Sequence, residues 1–249
     1  KRRHMSSEKH FDEILRDWLY EPDGLGVRLV EAANDRQLIQ IRVDMGILQL
    51  ETTGRPDGTQ PFGHETYYDF LLGEVLREGE DWQMDDEQCA EVDREFIQFY
   101  HRRVSWIKLN KYRHAVQDAN HTLGLMDLCH THSPDEHWTI SHEQYRPFVM
   151  FHRTQAEALA GLEEEGAEKA IQAINRGLDK MQDLFEQHEA AEYFEDDELV
   201  MRLTEMRESM RDEYGVGQTL QERLAEAVAK EEYELAAQLR DQLSQRSAN

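Results

Sequence analysis

Histidine, cysteine and carboxylate side chains have the most chemistry to offer in this chain, and they cluster. Eight of the twelve histidines fall between His101 and His152. The densest set runs Cys129-His130-Thr131-His132-Ser133-Pro134-Asp135-Glu136-His137 and on to His142. Imidazole, thiolate and carboxylate ligate zinc and other transition metals, so His130, His132 and His137 are the candidate ligands. Their spacing fits no standard zinc site, and polar histidines in an exposed, irregular insertion over 130–142 are the simpler reading. Two acidic runs, Glu163–Glu165 and Glu195–Glu198, lack the spacing of a calcium loop. The first ends a helix before Gly166 and the second suits a helix N-terminus, so both read as solvated. The loop from Thr53 to Gly63 can form an anion-binding nest. It lacks the Gly-Lys-Ser/Thr ending of a phosphate-binding loop and reads as a connection. No nucleophile elbow, HExxH or dinucleotide fingerprint occurs. The expectation is a chain with no catalytic residue and no cofactor, not an enzyme.

One basic island stands out. Residues His101–His114 contain Arg102, Arg103, Lys108, Lys111 and Arg113 with no acid, and Trp106 and Tyr112 are interleaved. Cations beside aromatics can grip phosphates and stack bases. They can equally dock an acidic segment, the chain's own included. The whole chain argues against nucleic acid: 28 Lys+Arg stand against 52 Asp+Glu, a net charge of −24. Such a field repels phosphate and anionic membranes alike. Apolar runs reach four residues at most, so no membrane span is expected, and the N-terminus has no apolar signal core. Two cysteines, Cys89 and Cys129, cannot build a disulfide scaffold, which points to a reducing, cytoplasmic setting.

Positioning these residues takes a mixed N-terminal part and a helical remainder. Pro22, Pro56 and Pro61 lie early, while the last hundred residues hold no proline. Phe11–Tyr20 reads as a short amphipathic helix. Val27–Glu31 and Leu38–Thr52 read as two strands joined by an Asn34-Asp35 turn. In the second strand Ile39, Ile41, Val43, Met45 and Ile47 alternate with polar residues, and the phase switches after Gly46 to Leu48 and Leu50. A glycine at such a switch signals a bulge. Two strands alone are marginal in water and need a cover of helices or another chain's strand. From His64 the spacing is helical. The fold class is therefore mostly α. Three regions follow: a small α+β part over 6–63 with its β-hairpin, a helical repeat-like body over 64–214, and a C-terminal helical hairpin over 219–245.

Three helix-to-helix junctions share a pattern, at Leu109–Ala115, Leu162–Ala170 and Val228–Ala236. A large apolar residue ends one helix, a polar turn follows, and an aromatic or small residue precedes alanine by three. The first two resemble tetratricopeptide hairpins at Trp106, Leu109, Tyr112, Ala115 and Ala119, and at Leu159, Leu162, Ala167, Ala170 and Ala173. Asn110 stands where that repeat usually has glycine, and Tyr112 and Ala167 are 55 residues apart rather than the repeat's ~34. The resemblance implies a degenerate tetratricopeptide-like array.

The third junction is more specific. The stretch Thr219–Leu243 resembles the UVR motif at Leu220, Leu224, Val228, the Glu231–Glu234 turn and the Ala236-Ala-Gln-Leu-Arg-Asp241 run. That motif is shared by the repair proteins UvrB and UvrC, by Clp-type ATPases and by the activator of a bacterial protein-arginine kinase. The stretch Leu38–Glu51 with Gly54–Gly58 is similar to the start of bacterial proteins that end in a UVR motif, and brings no activity with it. The resemblance implies a hairpin for protein–protein contact, here through Leu220, Leu224, Val228, Tyr233, Ala237, Leu239 and Leu243. Two helices this short are marginal alone and need a surface to pack on. A non-enzymatic adaptor with a protein partner is the leading expectation, along with a weak homodimer through Leu220–Leu243. The alternatives are a DNA-repair accessory factor using the basic island, and a metal-binding protein or enzyme using residues 129–142.

Overall fold

The computed structural model describes residues 15–32 and 35–247. The chain divides into two compact units, residues 1–146 and 147–249. The division falls within the stretch 64–214 read above as one body.

The first unit begins with a three-stranded antiparallel sheet in the order β1 (Gly26–Glu31), β2 (Gln37–Val43), β3 (Gly46–Glu51). The long strand expected over Leu38–Thr52 is therefore two strands. Asp44 and Met45 form a two-residue turn, Val43 pairs with Gly46, and Ile41 and Ile39 pair with Leu48 and Leu50. Direct pairing across a two-residue turn puts odd positions of β2 and even positions of β3 on one face. The phase switch at Gly46 is thus a hairpin and not a bulge. Arg42 braces the turn, its guanidinium donating to the carbonyls of Val43 and, at 2.9 Å, Gly46. Ile39, Ile41 and Leu50 are buried on this face, and α2 (Asp86–Lys108) packs against β2. The opposite face carries a polar row in which Arg28 donates to Gln40 and Gln40 to Gln49. The first four residues of the helix expected over Phe11–Tyr20 lie outside the described residues, as does Asn34 of the expected turn. From Arg16 to Tyr20 the chain is not helical.

Helices α1 (Tyr67–Glu78), α2, α3 (Tyr112–His132) and α4 (Glu136–Glu143) complete this unit. Each start but that of α3 has a side-chain cap. Thr66 accepts from the Asp69 amide, Asp85 and Gln88 form a capping box, and Asp135 accepts from the His137 amide. The apolar core joins Tyr67, Leu71, Met84, Cys89, Val92, Leu125, Leu128 and Cys129. Burying a side chain such as Leu71 or Leu125 contributes roughly 1.5–3 kcal/mol. Residues 130–142 are mostly helical, correcting the irregular insertion expected there: α3 runs to His132 and only 133–135 break it.

In the second unit, α5 (Arg146–Glu164, entered at the unit boundary), α6 (Ala167–Gln187) and α7 (Glu198–Tyr214) enclose Ile171, Ile174, Met181, Val200, Leu203 and Met210. Gly177 lets α5 and α6 touch, because a Cβ there would collide with the Thr154 side chain. The unit ends in α8 (Leu220–Ala229) and α9 (Tyr233–Ser247).

All three sequence junctions are helical turns with a positive-φ residue: Asn110 at 56°, Gly166 at 98° and Glu231 at 59°. At the first and third the chain closes with the same pair of bonds. The Lys111 amide donates to Trp106 O and the Glu232 amide to Ala227 O, both at 2.8 Å. This six-to-one bond satisfies carbonyls that a helix end leaves open.

Candidate protein-interaction hairpin

The hairpin α8–α9 is built from its caps inward. Thr219 accepts from the Glu222 amide while the Glu222 carboxylate accepts from the Thr219 amide at 2.7 Å, a capping box. The same carboxylate pairs with Arg211 of α7. Burial pushes the Glu222 carboxyl up, but bonds from Thr219 and Asn175 and the Arg211 charge outweigh it and hold the group below the ordinary carboxylate value. Glu222 thus starts α8 and ties it to the helices before it.

The seam between the two helices contains Ala227, Ala236 and Leu239, with Leu220 and Leu224 packed on it. The alanines let the backbones approach, and Leu239 fills the space at 1% exposure. Of the seven side chains expected to face a partner, Leu239 is instead the centre of the hairpin's own core. Leu220, Leu224 and Leu243 are half-buried, while Val228, Tyr233 and Ala237 are exposed. Val228 is 54% and Tyr233 69% exposed, and Leu235 joins them among the exposed large apolar residues. The apolar side chains that the sequence assigns to partner contact therefore divide in two. One half closes the hairpin and the other half is open. At the turn, Glu231–Leu235 and Gln238 line an open depression of about 540 Å³. Among the described residues no ion pair engages Glu231, Glu232 or Glu234, whereas neighbouring Lys230 is held by Glu226.

The other candidate residues are placed elsewhere. His132 is buried and its Nδ1 donates to Trp82 O at 2.8 Å; His130 and His137 are exposed. Among the described residues no group of three or more His, Cys, Asp or Glu gathers to hold a metal ion. The three histidines do not converge, because α3 carries two of them and α4 starts the third on a separate axis. Arg102 and Arg103 are buried, correcting their assignment to a contact surface. Arg102 makes a two-pronged pair with Asp118 at 2.9 and 2.8 Å and donates to Gly54 O at 2.7 Å. Arg103 donates to Thr122 Oγ1 at 2.9 Å, and burial pulls its pKa down to about 10, so it stays charged at neutral pH. Arg102 is thus spent on a pair within the chain. Lys108, Lys111 and Arg113 remain on the surface.

Sequence reasoning missed the polar centre of the first unit. Glu95, fully buried, accepts from the amides of Tyr67 and Tyr68 at 2.7 and 2.9 Å and lies 2.9 Å from His121 Nε2. Arg55, from the glycine-rich loop, pairs with Glu95 at 3.2 Å and Glu91 at 2.8 Å. The loop read as a connection or an anion nest is thus anchored by an inserted cation. His121 stacks on Phe99 at 3.6 Å between ring centroids. Next to this network, Thr52–Gly54, Thr66, Asp69, Trp106, His114 and Asp118 border a cleft of about 380 Å³.

Residues 218–245 match the family model described as the UvrB/uvrC motif, a span that takes in the Thr219 cap, both helices and the turn. No curated protein and no solved structure matches the chain. Among the described residues no helix is long and apolar enough to cross a membrane.

Proposed function

We propose that this protein is a non-enzymatic adaptor that binds another protein through its C-terminal UVR hairpin, with the helical, tetratricopeptide-like body as the platform. The observation that carries the reading is the division of labour within the hairpin. Its seam is filled by its own Ala227, Ala236 and Leu239, while Val228, Tyr233 and Leu235 stay outside. Of these, Tyr233 is of the residue type in which interface hot spots are enriched. The match of 218–245 to the UvrB/uvrC motif supports the same use. The burial of Arg102 and Arg103 weighs against a DNA-repair role for the basic island. Cys89 and Cys129, free and buried, suit a reducing cytoplasm.

The test is affinity capture from the native host with the tagged full chain, read by quantitative mass spectrometry. A protein recovered by the wild type and depleted roughly tenfold or more by Tyr233→Ala supports the adaptor reading. Equal recovery by both overturns it.

A further inference from the structure

The hairpin turn also carries a statement about the partner's chemistry, which rests on the adaptor reading. Glu231, Glu232 and Glu234 surround Tyr233 and Leu235 on an open depression, and none has an ion-pair partner among the described residues. Elsewhere in this unit acids near a cation are paired: Glu157 with Arg153 and Arg176, Glu222 with Arg211, Glu226 with Lys230. At the turn, exposed apolar side chains lie beside carboxylates that no ion pair among the described residues engages.

We propose that the hairpin turn docks a basic amphipathic segment of another protein, with an apolar side chain set against Tyr233 and Leu235 and flanking Lys or Arg residues facing Glu231, Glu232 and Glu234. Charge complementarity selects this occupant. A second copy of the chain would bring three more carboxylates against the three already there, on a molecule with a net charge of −24. Like charges set face to face across an interface reject that partner, whereas opposite charges steer encounter and fix register.

The probe is a fluorescently labelled amphipathic helix of leucine and lysine, titrated with the full chain, beside the same peptide with glutamate for lysine. The lysine peptide is expected to bind, more weakly as salt rises, and the glutamate peptide is not. The triple variant Glu231→Gln/Glu232→Gln/Glu234→Gln is expected to weaken the lysine peptide roughly tenfold, since each exposed charge contributes a small share. Tyr233→Ala is expected to weaken it by at least as much. Unchanged affinity in the triple variant overturns the inference, because binding then reflects the acidic surface as a whole. Self-association by light scattering that vanishes with Tyr233→Ala would assign the patch to a second copy and also overturn it. The two readings fail separately. If host-partner capture depends on Tyr233 but ignores the three glutamines, the basic segment is wrong and the adaptor stands. If capture ignores Tyr233 as well, both fall.

Discussion

The two units use the same side chains for opposite ends. In the first, Glu95 is fully buried and is hydrogen-bonded by two backbone amides and an imidazole, with the Arg55 guanidinium beside it as an ion pair. In the second, Glu231, Glu232 and Glu234 stand in solvent beside a tyrosine that is 69% exposed. Desolvating a carboxylate costs several kcal/mol unless partners surround it, so Glu95 is tolerable only as part of a network that fixes α1, α2 and the glycine-rich loop together. An exposed carboxylate costs almost nothing and contributes almost nothing to the fold. The buried charge orders the chain, and the exposed charge is left over for something outside it.

The largest effect should come from breaking the buried side of that comparison. Glu95→Ala leaves two amides at the start of α1 without their acceptor and takes one carboxylate from buried Arg55, which keeps Glu91, and is expected to cost about 3–5 kcal/mol, measured by urea unfolding. Glu234→Ala, the matched change on the exposed side, should fall within about 0.5 kcal/mol of the wild type. Similar losses for the two would erase the distinction.

Next in size is Leu239→Ala. Removing the side chain that fills the hairpin seam should cost the hairpin about 2–4 kcal/mol. Two short helices have little else to hold them, so amides across 220–247 should lose hydrogen-exchange protection while those of α6 keep theirs. Protection lost equally in α6 would mean that the hairpin is not a local unit.

These two residues also show how far the sequence could be read. Leu239 sits in a run whose spacing alone identifies the hairpin, because the caps, the turn and the seam are all local. What periodicity cannot tell is which half of an apolar stripe the partner helix covers, so Leu239 looked like a contact residue. Glu95 was out of reach altogether. It lies among Glu87, Glu91 and Asp93 with nothing local to set it apart, and its partners are 27 and 28 residues back and 26 residues ahead. Arg102 misled for the same reason, since Asp118 approaches from the next helix, 16 residues on. The sheet failed in a different way. A two-residue turn and a bulge both shift the apolar phase, and Asp44-Met45 lacks the Asn-Gly chemistry that marks a turn. The helical character expected from His64 onward is found, with 130–142 mostly helical as well, whereas the helix expected over Phe11–Tyr20 is missing from Arg16 to Tyr20.

A smaller effect is expected from pH, through Glu222. Its carboxyl is held below the ordinary value of 4.5 in the folded chain, because bonds from Thr219 and Asn175 and the Arg211 charge outweigh its burial. A carboxylate with a lowered folded pKa contributes stability that is full above its unfolded pKa and is lost as pH falls through the folded one. The α8 amides should therefore become less protected as pH drops below about 4.5, and Glu222→Gln should remove most of that dependence. An undiminished pH response in the glutamine variant would assign it to other carboxylates.

The smallest effect concerns the turn itself, and it sets the two uses of charge against each other at one residue. Asn110 and Glu231 occupy equivalent left-handed positions, at φ 56° and 59°, in turns closed by the same bond. Both side chains carry a Cβ that crowds the following carbonyl, but asparagine's short amide can offset this by hydrogen-bonding locally, whereas the longer glutamate side chain does not. Glu231→Gly relieves the crowding, partly offset by the freedom that glycine gains when unfolded, and should stabilise the hairpin by about 0.5–1 kcal/mol. It also removes one of three carboxylates from the docking surface, so affinity for the lysine peptide should fall about two- to threefold. Glu231→Asn removes the same charge while keeping a side chain that tolerates the turn, and should weaken binding by as much with a smaller gain in stability. Opposite signs for stability and binding would place Glu231 in the turn for its charge and not for its fit. A loss of both would mean that the side chain supports the fold, as Glu95 does, and the contrast between the two regions would not extend to the turn.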